Sequence, residues 1–230
     1  MFVRIRCAIS NSYLLLGEQP VLVDTGAPGD LPRILAALKT HGIEPGRLAL
    51  IVLTHAHSDH AGCAAELRRR TGARVALHAA DAPLARAGEN GVLAPTSQLG
   101  RIVRPFVDQP FEGFEPDILF RDGFALEPYG VKGRVLATPG HTAGSASVLL
   151  ANGETLIGDV LRGSLVWPNR AAPHFFCNDP DVNARSIVRL AREAPIRCHP
   201  GVLGSFPGSE LGRYLTTVSG EVLEFSGEPA

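Results

Sequence analysis

The stretch LALIVLTHAHSDHAG, residues 48–62, decides both the fold and the candidate chemistry of this chain. Its first six residues are all apolar, and a continuous apolar run of strand length is typical of a strand buried on both faces. The polar part that follows contains three histidines and one aspartate, namely His55, His57, Asp59 and His60. Imidazoles crowded beside a carboxylate are costly to bury unless a cation lies among them. The stretch therefore predicts a metal site where a buried strand ends.

The spacing of these four side chains predicts two cations rather than one. Alternate residues of an extended segment point to the same side, so His55 and His57 can bind one ion. Asp59 and His60, where the chain turns, can reach a second. Nitrogen and oxygen ligands of this kind suit zinc, and also iron or manganese.

The flanking sequence predicts alternating strands and helices. Ser58 is a candidate N-cap for a helix that follows the metal motif. Strand-like segments at 13–16 and 21–24 flank the turn-forming GEQP, and similar segments at 145–150 and 155–159 flank an Asn-Gly pair. Both patterns predict β-hairpins. Because ligands of open α/β sheets bind at the carboxyl ends of strands, the metal motif lies where a site is expected.

Composition excludes several classes of function. The chain has 230 residues, 45% hydrophobic and 20% charged, which indicates a folded core rather than disorder, and we expect one domain over residues 1–230. A net charge of −1 gives no electrostatic reason to expect nucleic acid or an anionic membrane as a partner. A small-molecule substrate is expected instead, and assembly into a homo-oligomer is left open.

The cellular location is predicted from what the sequence does not contain. No signal-like segment opens the chain, and no apolar run is long enough to span a bilayer. The four cysteines form no CxxC pair, as expected for reduced thiols. We therefore expect a cytoplasmic protein.

Three further residues in strand-end positions are candidate ligands. His141 lies in TPGHTAGS, Asp159 in LIGDV and His199 in RCHPG, and each follows a strand-like run. An earlier aspartate, Asp24, ends the run VLVDTG. Taken singly, each has an ordinary structural explanation, such as a turn histidine or a strand-end aspartate.

Taken together, these residues resemble the metallo-β-lactamase superfamily. Its pattern is HxHxDH, then His, then Asp, then His, preceded by a strand ending in Asp-Thr-Gly, and the resemblance spans about residues 3–205. It implies an α/β (α+β) fold, a four-layer αββα sandwich. Two mixed β-sheets would face each other with helices outside and the metals at one edge.

The resemblance also implies a role for each residue. His55, His57 and His141 would hold one metal. The second would be held by Asp59, His60 and His199. Asp159 would bridge the two, and Asp24 would support the ligand loops without binding metal. Two Zn²⁺ per chain are implied, with iron or manganese compatible. One departure concerns the last ligand, where many relatives read GHG and this chain reads Cys198-His199-Pro200-Gly201.

Such a site implies a hydrolase in which a metal-activated water attacks an ester, thioester, lactone or amide. Asp59 or Asp159 would take up the proton as the catalytic carboxylate. The nearest resemblance is to glyoxalase II, but the 31 residues after His199 are too few for its C-terminal helical extension. The positions suggested for the substrate pocket are Trp167, His174, Phe175 and Phe176, together with the segment from Phe106 to Phe114.

Other reactions are compatible with the same sequence pattern. Persulfide dioxygenases share much of it but use a single iron. A lactonase would use the same ligands and differ in its loops. A β-lactamase would normally need an export signal, and a phosphodiesterase would normally show a basic patch or an additional domain.

Overall fold

The computed structural model describes residues 1–219. The strands are β1 (Phe2–Arg6), β2 (Asn11–Leu15), β3 (Val21–Val23), β4 (Leu50–Val52), β5 (Arg74–His78), β6 (Ile118–Phe120), β7 (Phe124–Ala125), β8 (Gly133–Ala137), β9 (Ala146–Leu150), β10 (Glu154–Gly158), β11 (Arg162–Gly163), β12 (Ala171–Ala172), β13 (Arg197–Pro200) and β14 (Phe206–Pro207). The α-helices are α1 (Leu31–Thr40), α2 (Ser58–Ala61), α3 (Ala64–Thr71), α4 (Ala82–Ala87), α5 (Gln98–Val107), α6 (Pro180–Arg192) and α7 (Ser209–Ser219).

The strands form two six-stranded sheets and a small ribbon. The first sheet runs in the order β1-β2-β3-β4-β5-β6 and the second in the order β14-β13-β10-β9-β8-β7, while β11 pairs with β12. In the first sheet β1 to β3 are antiparallel neighbours, and β3 to β6 are parallel. In the second only β10 and β13 are parallel. Both sheets are therefore mixed, as the resemblance implied.

Three apolar clusters show how the layers stack. Between the sheets, residues of β2 to β5 pack against residues of β8 to β10, with Val52 and Val148 fully buried. On the outer face of the first sheet, α1 and α3 contribute Ile34, Leu38 and Leu67. On the outer face of the second, α6 and α7 bury Ile187, Leu190 and Leu211. The result is the expected αββα sandwich.

Local predictions agree with the structure except after the metal motif. The two predicted hairpins form as β2–β3 and β9–β10. The predicted single helix is instead α2 and α3, because the Gly62 N–H bonds to the Gly26 carbonyl (3.0 Å) and so leaves the helical pattern. Ser58 is not an N-cap: its hydroxyl donates to the Val107 carbonyl at 2.9 Å.

The strand directions bring several polar residues to one edge of the sandwich. Asp24 follows β3, and His55 comes three residues after β4 ends. His141 lies in the turn after β8, and Asp159 directly follows β10. Cross-sheet contact is direct at this edge, where the Ala146 N–H donates to the Thr54 carbonyl at 2.8 Å. Over residues 1–219, no helix has the length and apolarity needed to cross a membrane.

Candidate metal centre

Seven buried side chains at this edge form overlapping sets of metal-binding atoms. Within each set, the potential ligand atoms lie within 4.8 Å of one another. The sets are His55, His57 and His141; His55, Asp59 and His60; and His141, Asp159 and His174. Six of the residues expected to bind metal are thus brought together. The seventh member is His174, which the sequence suggested only as a pocket residue, and His199 is not among them.

The carboxylate of Asp159 is central to the cluster. Its Oδ2 lies 3.0 Å from His174 Nε2 and 3.3 Å from His60 Nε2. The same oxygen is 3.7 Å from His141 Nε2 and 3.9 Å from His55 Nε2. One carboxylate oxygen close to four imidazole nitrogens gives a compact set of nitrogen and oxygen atoms of the kind that bind divalent metals.

The hydrogen-bonding state of the cluster provides a test of whether a metal fits. Within the described part of the chain, five buried polar atoms of the cluster have no hydrogen-bond partner: Nε2 of His55, His57, His60 and His174, and Oδ1 of Asp159. Buried polar atoms are normally satisfied, because an unpaired one costs about 1–3 kcal/mol. Divalent cations coordinated by these nitrogens and oxygens would satisfy them together. The residues present therefore fit a divalent metal centre.

Two ligand candidates are oriented by hydrogen bonds through their other ring nitrogen. His60 Nδ1 lies 2.9 Å from Asp24 Oδ2, and His141 Nδ1 lies 2.9 Å from the Phe176 carbonyl. Because a carboxylate and a carbonyl can only accept, each Nδ1 carries the proton. In a neutral ring with this tautomer, Nε2 would present its lone pair to the cluster, as in metal-binding histidines. His141 Nε2 also lies 3.0 Å from His57 Nδ1.

The Asp24 carboxylate accepts hydrogen bonds from several groups of the metal motif. It adopts a left-handed φ of +61°, which is uncommon for a residue other than glycine. Its carboxylate accepts hydrogen bonds from the Thr54 N–H (2.8 Å) and hydroxyl (2.9 Å) as well as from His60. Asp24 therefore holds the first and last parts of the motif in one arrangement.

Asp81 and Asn90 also position the motif through hydrogen bonds, and neither was predicted from the sequence. Asp81 accepts from the Ala56 N–H (3.1 Å), between two ligand histidines, and from the Gly144 N–H (2.7 Å) in the loop after His141. Asn90 Oδ1 accepts from the Ser58 N–H at 2.6 Å. Both lie in the irregular stretch after β5, where no periodic signal marks a buried polar residue.

His199 lies away from the metal cluster, contrary to expectation. It is inside β13, opposite Leu156 of β10, rather than beyond the strand end. Its Nδ1 lies 2.8 Å from the Ser205 hydroxyl, and its Nε2 forms an ion-pair contact with Glu154. The Phe2 ring packs against it with a centroid distance of 4.8 Å. Both ring nitrogens are therefore engaged elsewhere.

Burial and charge divide the histidines into two groups. Burial lowers the pKa of His55 and His57 well below the usual value and that of His141 to about 3, so these rings are neutral. Burial also disfavours charge on His60, but the surrounding carboxylates, Asp159 foremost, outweigh it and hold the His60 pKa well above its usual value. Only the neutral imidazole binds metal, so a cation bound at His60 would displace its proton.

A small cavity of about 120 Å³ opens above the cluster. Its polar lining consists of cluster residues and Asn90. The apolar lining comes from the loops and α5: Ile9, Leu93, Val103, Val107, Phe175, Phe176 and Val202. His174, Phe175 and Phe176 therefore line it as suggested.

Other aromatic residues proposed for the pocket lie elsewhere. Trp167 is 69% exposed and does not line the cavity. Phe106 is 73% exposed, and Phe111 and Phe114 are buried in the outer core of the first sheet. Composition could suggest aromatic loops but not the direction in which each ring points.

Comparison with known proteins agrees with the fold. The family model described as the metallo-beta-lactamase superfamily matches residues 5–197. A hydroxyacylglutathione hydrolase from Ectopseudomonas mendocina is 30% identical over 190 residues, covering 80% of this chain and 58% of that protein. A second, from Acidiphilium cryptum, is 29% identical over 67% of this chain and 56% of that protein. The chain thus spans less than two thirds of these relatives.

Solved structures give the same picture. A metallo-beta-lactamase family protein from Thermus thermophilus superposes with a TM-score of 0.72 at 23% identity, over 96% of this chain and 79% of that one. The protein TTHA1623, solved in a di-iron-bound form, has a TM-score of 0.68 at 27% identity, over 93% and 97% of the two chains.

Proposed function

The chain belongs to the metallo-beta-lactamase superfamily, and we propose that it is a hydrolase that uses two divalent cations, zinc foremost, to cleave a small thioester, ester or lactone. The observation that carries the proposal is the overlap of the ligand sets. His55 and His141 each belong to two sets, and Asp159 lies between them. Single-iron chemistry would need only one set, so the overlap favours a pair of cations. The di-iron form of TTHA1623 supports a pair of metals in this fold.

The cations would supply the nucleophile. When bound, such a pair lowers the pKa of a shared water toward about 7 and polarises the carbonyl of the substrate. His55, His57 and His141 would hold one cation, and Asp59, His60 and Asp159 would bind the other.

The two carboxylates that face the cavity have different acidities. Burial raises the pKa of Asp59. Burial also disfavours charge on Asp159, but His174 and His60 outweigh it and hold the Asp159 pKa well below its usual value. These directions hold for the protein without metal, and bound cations would change both acidities. Asp59 or Asp159, which both face the cavity, would take up the proton of the attacking water.

A cysteine nucleophile is not needed. Burial raises the pKa of the Cys63 thiol and raises that of Cys198 to about 12. A thiol with a raised pKa is a poor nucleophile near neutral pH, because the thiolate is the reactive form.

The cavity supports a small acyl group as the part of the substrate that enters. Its volume of about 120 Å³ is below the roughly 300 Å³ at which drug-sized ligand pockets begin. Its walls are apolar, and its polar groups lie on the cluster side. A short acyl chain would fit there, with the leaving group directed toward solvent. The hydroxyacylglutathione hydrolase relatives make thioesters the first class to test.

The decisive experiment combines metal analysis with a substrate panel. Protein purified without added metal should contain about two cations per chain and should hydrolyse at least one of a set of thioesters, lactones and esters. Phosphodiesters and β-lactams belong in the same panel. Iron alone, at one per chain, with oxygen consumption on a glutathione persulfide, would replace the hydrolase proposal by a dioxygenase.

One pair of variants tests the assignment of the site. His57→Ala should abolish turnover while the far-ultraviolet circular dichroism stays unchanged. His41→Ala is the control, because His41 is exposed at the end of α1. Wild-type turnover in His57→Ala would contradict the metal centre.

A further inference from the structure

His174 is held in a fixed position beside Asp159. It is buried, at 7% exposure, in the loop between β12 and α6. Its carbonyl accepts a hydrogen bond from the Thr96 hydroxyl at 2.5 Å, and the Thr96 N–H donates to the Phe175 carbonyl at 2.9 Å. Two contacts to a separate segment thus fix the backbone at His174 and Phe175.

His174 Nε2 and Asp159 Oδ2 are close together but poorly aligned for a hydrogen bond. His174 Nε2 lies 3.0 Å from Asp159 Oδ2, yet this nitrogen has no partner aligned for an N–H···O bond among the described residues. A divalent cation bound by both atoms would satisfy the Nε2 lone pair and the carboxylate together.

The other ring nitrogen is held by the backbone of Phe176. The Phe176 N–H donates to His174 Nδ1 at 3.3 Å, and the Phe176 carbonyl lies 3.2 Å from the same nitrogen. These two contacts fix the plane of the ring. The tautomer with its proton on Nδ1, shared with the carbonyl, is the one that would present an Nε2 lone pair beside Asp159.

The end of β13 provides no competing ligand. Gly201 follows the strand, and a Cβ there would lie 2.3 Å from Asp159 Oδ1 and 2.4 Å from His60 Cε1. Only backbone fits at this position. The next residue, Val202, presents an apolar side chain to the cavity. His199 instead forms a hydrogen bond with Ser205 and an ion-pair contact with Glu154.

We propose that His174 is a metal ligand of this protein, binding through Nε2 the second cation, which Asp59, His60 and Asp159 also hold. It takes the role that the family resemblance gives to His199. The inference rests on the proposed metal-dependent function. It makes the second site depend on the loop before α6 rather than on the end of a strand.

The test measures metal binding, not turnover. Metal-free wild type, His174→Ala and His199→Gln are each equilibrated with the same free Zn²⁺, and bound zinc is counted by mass spectrometry. Titration with Co²⁺, followed by visible absorption, resolves the two binding steps. We expect two cations in wild type and His199→Gln, and one in His174→Ala. Two cations in His174→Ala with wild-type affinity overturn the proposal, and so does loss of a cation from His199→Gln alone.

Two further outcomes are decided in advance. If His174→Ala does not fold, His174→Gln replaces it and should weaken the second Co²⁺ step by about 10-fold or more while leaving the first unchanged; an unchanged second step overturns the proposal. If wild type binds no cation, the proposed function fails and the ligand role of His174 fails with it. If wild type binds two and His174→Ala also binds two, only the His174 proposal fails.

Discussion

Replacing Asp24 by asparagine should weaken metal binding without touching a ligand. Asp24 is 1% exposed, and its Oδ2 accepts the proton of His60 Nδ1 at 2.9 Å. The introduced amide could still accept from the Thr54 N–H through its remaining oxygen, but it would present an N–H₂ group to His60. His60 Nδ1 would then become the acceptor, and the ring proton would move to Nε2. The lone pair that faces the cation would be lost.

The magnitude follows from this change of tautomer. Removing the group that orients a metal-binding histidine costs about 10–100-fold in metal affinity, equivalent to about 1.4–2.7 kcal/mol. Zn²⁺ affinity of the metal-free protein would be measured by competition with a coloured chelator, and the loss should fall on one of the two binding steps.

The matched control is Asp30→Asn. Asp30 is a fully buried carboxylate that accepts from the Ala8 N–H (3.0 Å) and the Ala27 N–H (2.9 Å). Within residues 1–219 it bonds to no member of the metal cluster, so its variant should lose stability toward urea but keep wild-type Zn²⁺ affinity. Affinity of Asp24→Asn within twofold of wild type would refute the reasoning.

Four other perturbations have defined outcomes. Gly201→Ala should lower turnover by about 100-fold, because a misplacement of about 1 Å in a site can cost that much. Gly204→Ala is the control and should match wild type, since a Cβ there has nothing within 4 Å. Equal turnover in the two variants would contradict the close contact of Gly201 with Asp159 and His60. Asp81→Ala should lower the zinc content, because it removes the hydrogen bonds to the Ala56 N–H and to the loop after His141. Full zinc content would mean that these two loops keep their positions without Asp81. Chelation of the metal should lower the thermal unfolding temperature, since ligands that bind only the native state stabilise it; an unchanged temperature would show that the cations do not contribute to folding. The metal-free protein should lose stability as the pH falls below about 6.5, because His141 then binds a proton in the unfolded chain but not in the folded protein, where its pKa is about 3. The free energy of unfolding should fall by about 1.4 kcal/mol per pH unit for this one group. Urea unfolding at several pH values measures this; a free energy that does not change with pH would mean that the ring is charged in the folded state.

The strand-end ligands could be predicted from sequence because each follows an apolar run that periodicity identifies. The convergence of His55, His57 and Asp159 at one edge follows from the same signal, whereas the αββα sandwich was implied only by the family resemblance. His199 could not be placed, because whether a residue lies inside a strand or just beyond it depends on register. In the structure β13 continues to Pro200, and that short extension keeps the histidine inside the sheet.

The residues missed by sequence reasoning share a different property. Asp81 and Asn90 lie in segments without repeating hydrophobicity. His174, which the sequence suggested for the pocket but not as a metal ligand, precedes two phenylalanines in such a segment. Their positions are set by contacts with residues distant in the chain, such as Thr96 with His174. A single sequence carries no local signal for contacts of this kind, so the structure was needed to find them.

The Phe176 carbonyl, which faces both His141 Nδ1 and His174 Nδ1, has a consequence for how substrate preference could change. The same short segment forms part of the cavity wall through Phe175 and Phe176. Remodelling that wall to admit a different acyl group would tilt two imidazoles at once. Selection for a new substrate would therefore also act on metal retention, and variants with altered selectivity should be screened for zinc content alongside rate.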